Sequence, residues 1–144
     1  MTRRIPAAGL SLFDEAGVVY AIGQEQDDSG LERAAMLAGA QRADVLLALL
    51  TEQIDRMFLE SSPRLRGVAN YADGYDNIHL DAATALGIPV SNTPGVLTEA
   101  TADLTWALLL GVARRIPEAH AYMTGGGYRI WGPNLLLGGV GSWG

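Results

Sequence analysis

A doubly wound α/β fold with a parallel sheet is what this sequence predicts, and three observations predict it. Short apolar runs of strand length alternate with segments of helical spacing. The longest run, VLLALL at Val45 to Leu50, is continuously apolar rather than alternating, as in a parallel strand covered on both faces. Glycines and polar clusters fall at the boundaries between runs.

Each element follows in order. Leu10, Leu12 and Phe13 give Ala7 to Asp14 the spacing of a short amphipathic helix, and Gly17 stands where that helix would stop. VVYAI, Val18 to Ile22, reads as a strand. After a polar stretch from Gln24 to Gly30, Leu31 to Ala38 regains helical spacing with strong helix formers before Gly39. Thr51 is a capping-type residue, and Ile54, Met57 and Phe58 share one face of a helix drawn from Thr51 to Leu59. LRGVAN is a further strand, and IPVSN after Gly87 another. A longer helix is expected from Thr98 to Arg115, with Thr98 as cap, Glu99 in its first turn and Arg114 and Arg115 at its end, charges that suit the helix macrodipole. Pro117 interrupts it, and Ala119 to Met123 continue for a turn or two. The architecture is of flavodoxin-like type, whose ligands sit outside the carboxyl ends of the strands. That rule marks Tyr71 to Asp76 and Ser91 to Gly95 as the binding edge.

Composition limits the partners. With 144 residues there is room for one ordinary domain, and 49% hydrophobic with 18% charged residues is globular composition. A net charge of −6 argues against a nucleic-acid surface, which needs clustered cations. All ten basic residues are arginine, so a Schiff-base lysine is excluded. No cysteine is present, which removes disulfides, thiolate nucleophiles and cysteine metal sites. The apolar runs are far shorter than the ~20 residues that span a bilayer, and no signal-peptide pattern opens the chain. The expected compartment is the cytoplasm. His79 and His120 match no metal-ligand spacing; His79 reads as a surface residue, and the Asp27 and Asp28 pair as part of a solvated loop.

The motifs at the expected binding edge are YADGYDNI, Tyr71 to Ile78, and SNTPGVLTEATAD, Ser91 to Asp103. Together with the helix that follows, the run from Val68 to Arg115 resembles the NAD(P)-dependent D-isomer-specific 2-hydroxyacid dehydrogenases, nearest to glyoxylate and hydroxypyruvate reductases. The resemblance extends over about Arg3 to Gly138 and is strongest from Leu65 to Arg115. It implies that backbone amides at Asp73 and Gly74 receive a substrate carboxylate, that Asn92 faces the cleft, and that Thr101 lies near a nicotinamide. Asp73 departs from the Val or Thr common in relatives and would repel an anion unless its carboxylate points away. Read without the resemblance, Gly74 makes a strand-to-helix turn with Asp76 and Asn77 as caps, Asn92, Pro94 and Gly95 form a turn, and Thr98 and Thr101 belong to a first helical turn. Trp106, Leu108, Leu109 and Leu110 read as packing residues.

GGGYRIWGPNLLLG resembles a loop that reaches across a dimer in related reductases, with Trp131 as the matching residue; the plainer reading, and the one favoured, is a disordered tail. Gly139, Gly141 and Gly144 spell G-x-G-x-x-G, a spacing that binds a pyrophosphate only between a strand and a helix. It is read as a product of glycine-rich composition. The organisation expected is therefore an incomplete flavodoxin-like substrate domain at 1–97 lacking its first strand, an interdomain helix at 98–124 and a Gly-rich apolar tail at 125–144. The family's Arg, Glu and His machinery and its nucleotide-binding motif are expected beyond this sequence. The resemblance implies NAD or NADP as cofactor of the full-length family, with none bound tightly by this chain, and a small 2-oxo or 2-hydroxy acid as ligand. A homo- or hetero-dimer would form through 98–144. The competing expectation is a non-catalytic flavodoxin-like binding or assembly module.

Overall fold

The computed structural model describes residues 1–25 and 30–133. The chain divides into two compact units, Met1–Val96 and Leu97–Gly144. In the first unit the elements are α1 (Ala7–Glu15), α2 (Arg33–Ala40), β1 (Val45–Leu49), α3 (Arg56–Glu60), β2 (Gly67–Tyr71), α4 (Leu80–Ala85) and β3 (Val90–Ser91). Among the described residues the strands form one sheet in the order β1, β2, β3, with both pairings parallel. Parallel neighbours need crossover connections, and α3 and α4 lie in the two that join them.

Register explains the core. Leu46 stands opposite Val68 and Val68 opposite Val90, so alternation along each strand gathers these side chains on one side. There Leu46, Ala48 and Val68 join Met36, Phe58, Leu59, Leu65, Ile78 and Ile88 in a single apolar cluster. Phe58 is 1% exposed, and burial of such a side chain stabilises the fold by roughly 1.5–3 kcal/mol. The other side of β1 is less covered: Val45 is 57% exposed and Leu47 and Leu49 are half-buried. The strand expected to be covered on both faces is thus closed on one, because α2, α3 and α4 all add their buried residues to the Leu46 side.

A further lane lies beside β1. The Thr2 N–H donates to the Leu47 carbonyl at 2.9 Å, the Arg4 N–H to Gln24 at 3.0 Å and the Gly23 N–H to Met1 at 2.9 Å. Met1 to Arg4 therefore run between β1 and the Gly23–Gln24 segment, the place of the first strand in a doubly wound sheet. A Cβ on Gly23 would sit 2.7 Å from the Thr2 carbonyl oxygen, so this approach requires glycine. The strand expected at Val18 to Ile22 does not form. Gly17, at φ 66°, turns the chain back so that the Val18 N–H bonds the Phe13 carbonyl at 2.9 Å, and Val19 is left exposed.

Helix starts also differ from expectation. Asp55, not Thr51, caps α3, accepting from the Phe58 N–H at 2.8 Å. That amide, and then the Arg33 guanidinium at 2.7 Å, hold the Asp55 carboxyl below the usual carboxylate range. Ile54 precedes the helix and bridges to Ile78, while Met57 faces solvent. α4 is capped by His79, whose Nδ1 accepts from Ala82, rather than by Asp76 or Asn77. It ends at Gly87, φ 67°, with the Ile88 N–H on the Ala83 carbonyl and the Gly87 N–H on Thr84.

The second unit contains α5 (Thr98–Ala113) and α6 (Ile116–Thr124), neither with a buried residue. Thr98 is the first helical residue and Leu97 occupies the cap position without a side-chain bond. The helix expected to reach Arg115 stops at Ala113; Arg115 adopts φ 52°, and Pro117 lies in the first turn of α6, where its missing N–H costs nothing. Trp106, Leu108, Leu109 and Leu110 are each exposed rather than packed. Among the described residues no helix is long and apolar enough to cross a membrane. The Gly139, Gly141, Gly144 motif and the Asp27, Asp28 pair lie outside the described residues.

Candidate functional site

Three loops leave the carboxyl ends of β1, β2 and β3, and polar side chains tie them together, buried ones between the first two. Asn70, near the end of β2, is 2% exposed; its Nδ2 donates to the Gly74 carbonyl at 2.8 Å and to Asn77 Oδ1 at 3.1 Å. Asn77 Nδ2 in turn donates to the carbonyls of Leu49 at 3.2 Å and Glu52 at 3.0 Å. The loop after β2 is thereby anchored to the loop after β1, an anchoring reinforced by the Ile54 N–H on Asn77 at 2.8 Å and the His79 N–H on Ile54 at 2.9 Å. Buried amides need every partner they can find, and this pair meets that need reciprocally.

Glu52 extends the network. Its carboxylate, 4% exposed as a side chain, accepts from the Leu49 N–H, the Thr2 hydroxyl and the Thr51 hydroxyl. Arg3 Nε lies 3.5 Å from it, an ion pair without a hydrogen bond, while Arg3 Nη2 donates to Thr51 at 2.8 Å. A buried carboxylate requires such partners, because burial removes its water.

On the other flank, the loops after β2 and β3 are joined by three bonds. Thr93 N–H donates to Ala72 at 2.9 Å, Asn92 Nδ2 to the Asp73 carbonyl at 2.6 Å, and Gly95 N–H to Asp73 Oδ1 at 2.7 Å. Asp73, Gly74 and Asn92, predicted to act together, are thus brought together. The Asp73 carboxylate is turned to Gly95, and Gly95 adopts φ 77°, a conformation open to glycine. Among the described residues neither the Asp73 nor the Gly74 N–H meets a protein acceptor. A Cβ placed on Gly74 would find no atom nearer than Asp76 Oδ2 at 3.8 Å, so open space stands over this backbone. Two free amides, exposed at the end of a parallel strand, suit an anionic ligand of carboxylate size.

Thr101 and Trp131 belong to the second unit. Thr101 is exposed, with its N–H on Leu97 and its carbonyl accepting from Thr105 at 2.8 Å. Trp131 is 73% exposed, beside exposed Ile130 and Tyr128. His79 is exposed and spent on its cap. Asn70, Asn77 and Glu52 were not predicted. Their signal was polarity out of place: Asn70 interrupts an apolar strand at a position in register with buried Ala48.

A parallel α/β sheet with its loops joined along the carboxyl edge defines the class of fold to which this chain belongs. The comparisons with known proteins narrow that class. Residues 1–129 match the family described as D-isomer specific 2-hydroxyacid dehydrogenase, catalytic domain, and the chain belongs to that family. It is 43% identical over 142 residues to a glyoxylate reductase of Thermococcus litoralis, covering 96% of this chain and 42% of the relative. Among solved structures it is similar to a protein of Thermus thermophilus, at 40% identity and TM-score 0.84, covering 96% of this chain and 43% of that one. A Polaromonas protein named as an NAD-binding D-isomer specific 2-hydroxyacid dehydrogenase superposes at 32% identity and TM-score 0.81, again over 96% of this chain and 43% of that one. The chain thus spans less than half the length of these relatives.

Proposed function

We propose that this chain supplies the carboxylate-binding edge of an NAD(P)-dependent reductase of small 2-oxo acids, of the size of glyoxylate or hydroxypyruvate, and that alone it does not turn over. The observation that carries the reading is the pair of free, exposed amides at Asp73 and Gly74, braced from behind by Asn70 and from the side by Asn92. The names of the relatives, glyoxylate reductase and NAD-binding dehydrogenase, support the substrate class and the cofactor. In the full-length family a bound reduced nicotinamide would supply the hydride that, with a proton, converts the 2-oxo acid to its 2-hydroxy acid. This chain's part is to fix the substrate by its carboxylate, with Asn92 beside it.

Toward the cofactor the described residues offer Thr101 and no phosphate cradle, since none of their helices follows a strand through a glycine-rich turn. No catalytic step is therefore assigned to this chain, and NAD or NADP is expected to bind it weakly. The cytoplasm is the proposed compartment. A second reading, a non-catalytic assembly module, rests on the exposed Ile130, Trp131 and α5 side chains, which suit a homo- or hetero-dimer through 98–144.

Calorimetric titration of the purified chain with NADH and NADPH, followed by glyoxylate and hydroxypyruvate reduction in the same preparation, tests this. Folded protein with weak or no cofactor binding and no turnover is expected. Measurable turnover would overturn the claim of inactivity.

A further inference from the structure

We propose that Asp73 is a positioning residue: its side chain clamps the loop after β2 to the turn after β3 and so fixes where the Gly74 amide points. This rests on the carboxylate reading of that loop. Asp73 is the one residue there that bonds the neighbouring loop twice, through its carbonyl to Asn92 at 2.6 Å and through Oδ1 to the Gly95 N–H at 2.7 Å. The remaining link, Thr93 to Ala72, lies one residue behind it and does not restrain Gly74 directly. On the far side the Gly74 carbonyl is held by Asn70 at 2.8 Å. The 73–74 peptide is therefore held at its carbonyl by Asn92 and the next peptide by Asn70, while the Gly74 N–H, like that of Asp73, meets no protein acceptor among the described residues. Pre-set donors aimed at an anion bind it without the entropy loss of ordering a loop.

The opposing effect is the charge itself. Two unit charges about 4 Å apart in water repel by roughly a fivefold factor in binding. The Gly95 N–H offsets part of this by donating to the Asp73 carboxylate. Loss of a hydrogen bond to a charged group costs more than about tenfold when buried, and at this exposed site a factor of about five to tenfold. Because the two effects are close in magnitude and opposite in sign, the direction of change on substitution decides between them.

The test uses the 144-residue chain, isotopically labelled, with wild type, Asp73→Asn and Asp73→Ala followed by amide exchange and by titration with oxamate, a stable monoanionic analogue of a 2-oxo acid. Asn keeps an acceptor for Gly95 and removes the charge; Ala removes both. Exchange at Gly95 is expected to quicken about fivefold or more in the Ala variant and to stay slow in the Asn variant. Unchanged Thr93 exchange in both shows that the fold is intact. Oxamate affinity, read at the Gly74 amide, is expected to fall severalfold with Ala and to hold or rise with Asn. If both variants bind oxamate more tightly, or if Gly95 exchange is indifferent to Ala, the clamp is overturned. If oxamate moves the Gly74 amide in none of the three proteins, the carboxylate reading falls instead, and Gly95 exchange still reports on the clamp.

Discussion

At the scale of single residues, the asparagine pair does what no apolar substitute could do. Asn77 Nδ2 serves the carbonyls of Leu49 and Glu52 and the Oδ1 of Asn70, and the bond to Glu52 is buried. An Asn77→Leu chain keeps the volume and strands the Glu52 carbonyl and the Asn70 Oδ1, while the Leu49 carbonyl keeps only the Glu52 N–H. Each orphaned buried group costs roughly 1–3 kcal/mol, so a loss of about 2–4 kcal/mol is expected in urea unfolding. An unchanged midpoint would show that the pair does not brace the fold. Residues of this kind were the least legible in the sequence. Asn77 looked like a helix cap because Asn caps helices often, and only the paired strand ends reveal that it reaches back to β1. Gly74 and Asn92, by contrast, were legible because strand ends and turn chemistry mark them locally.

Among elements, starts and stops separate the readable from the unreadable. Gly17 was visible as a helix stop and Gly87 only as the residue before a strand, yet both take left-handed φ with the two backward bonds of a Schellman cap. At Gly87 no heavy atom lies within 4 Å of the place a Cβ would take, so Gly87→Ala isolates backbone strain from crowding. A cost of about 1–2 kcal/mol is expected from thermal or urea unfolding, and a neutral result would mean that the cap relaxes to another conformation. Helix starts were harder to read. Thr51 has the right chemistry, yet Ile54 is drawn into a bridge with Ile78, which delays α3 until Asp55 can cap it. Val18 to Ile22 failed for a related reason. Its strand-forming residues carry the pattern, but the pairing partner, Met1 to Arg4, meets the chain at Gly23, where a side chain would collide.

For the whole molecule, burial is unevenly distributed between the two units. Every member of the apolar core belongs to Met1–Val96, whereas α5 and α6 bury nothing. Isolated helices of this length are marginal in water, since most helical stability comes from packing of one face. Hydrogen exchange is therefore expected to be slow in β1 and β2 and faster by orders of magnitude along α5. Equal protection in both would show that α5 is covered in solution, and a concentration dependence of that protection would identify self-association as the cover. The parallel sheet was legible from runs of apolar residues. Exposure of Trp106 and its neighbours was not, because an apolar helix looks the same in sequence whatever packs on it.

The lane beside β1 also governs the order of assembly. Thr2 meets Glu52 across 50 positions and Arg3 meets Thr51 across 48, while β1, its crossover and β2 involve much shorter separations. Long closures slow folding because the chain must give up freedom before the contact rewards it. The strands from Val45 onward can pair early, and residues 1–4 dock late, into a slot already shaped by Leu47 and Gly23. Run in reverse, the same asymmetry makes this lane the first part of the sheet to peel away.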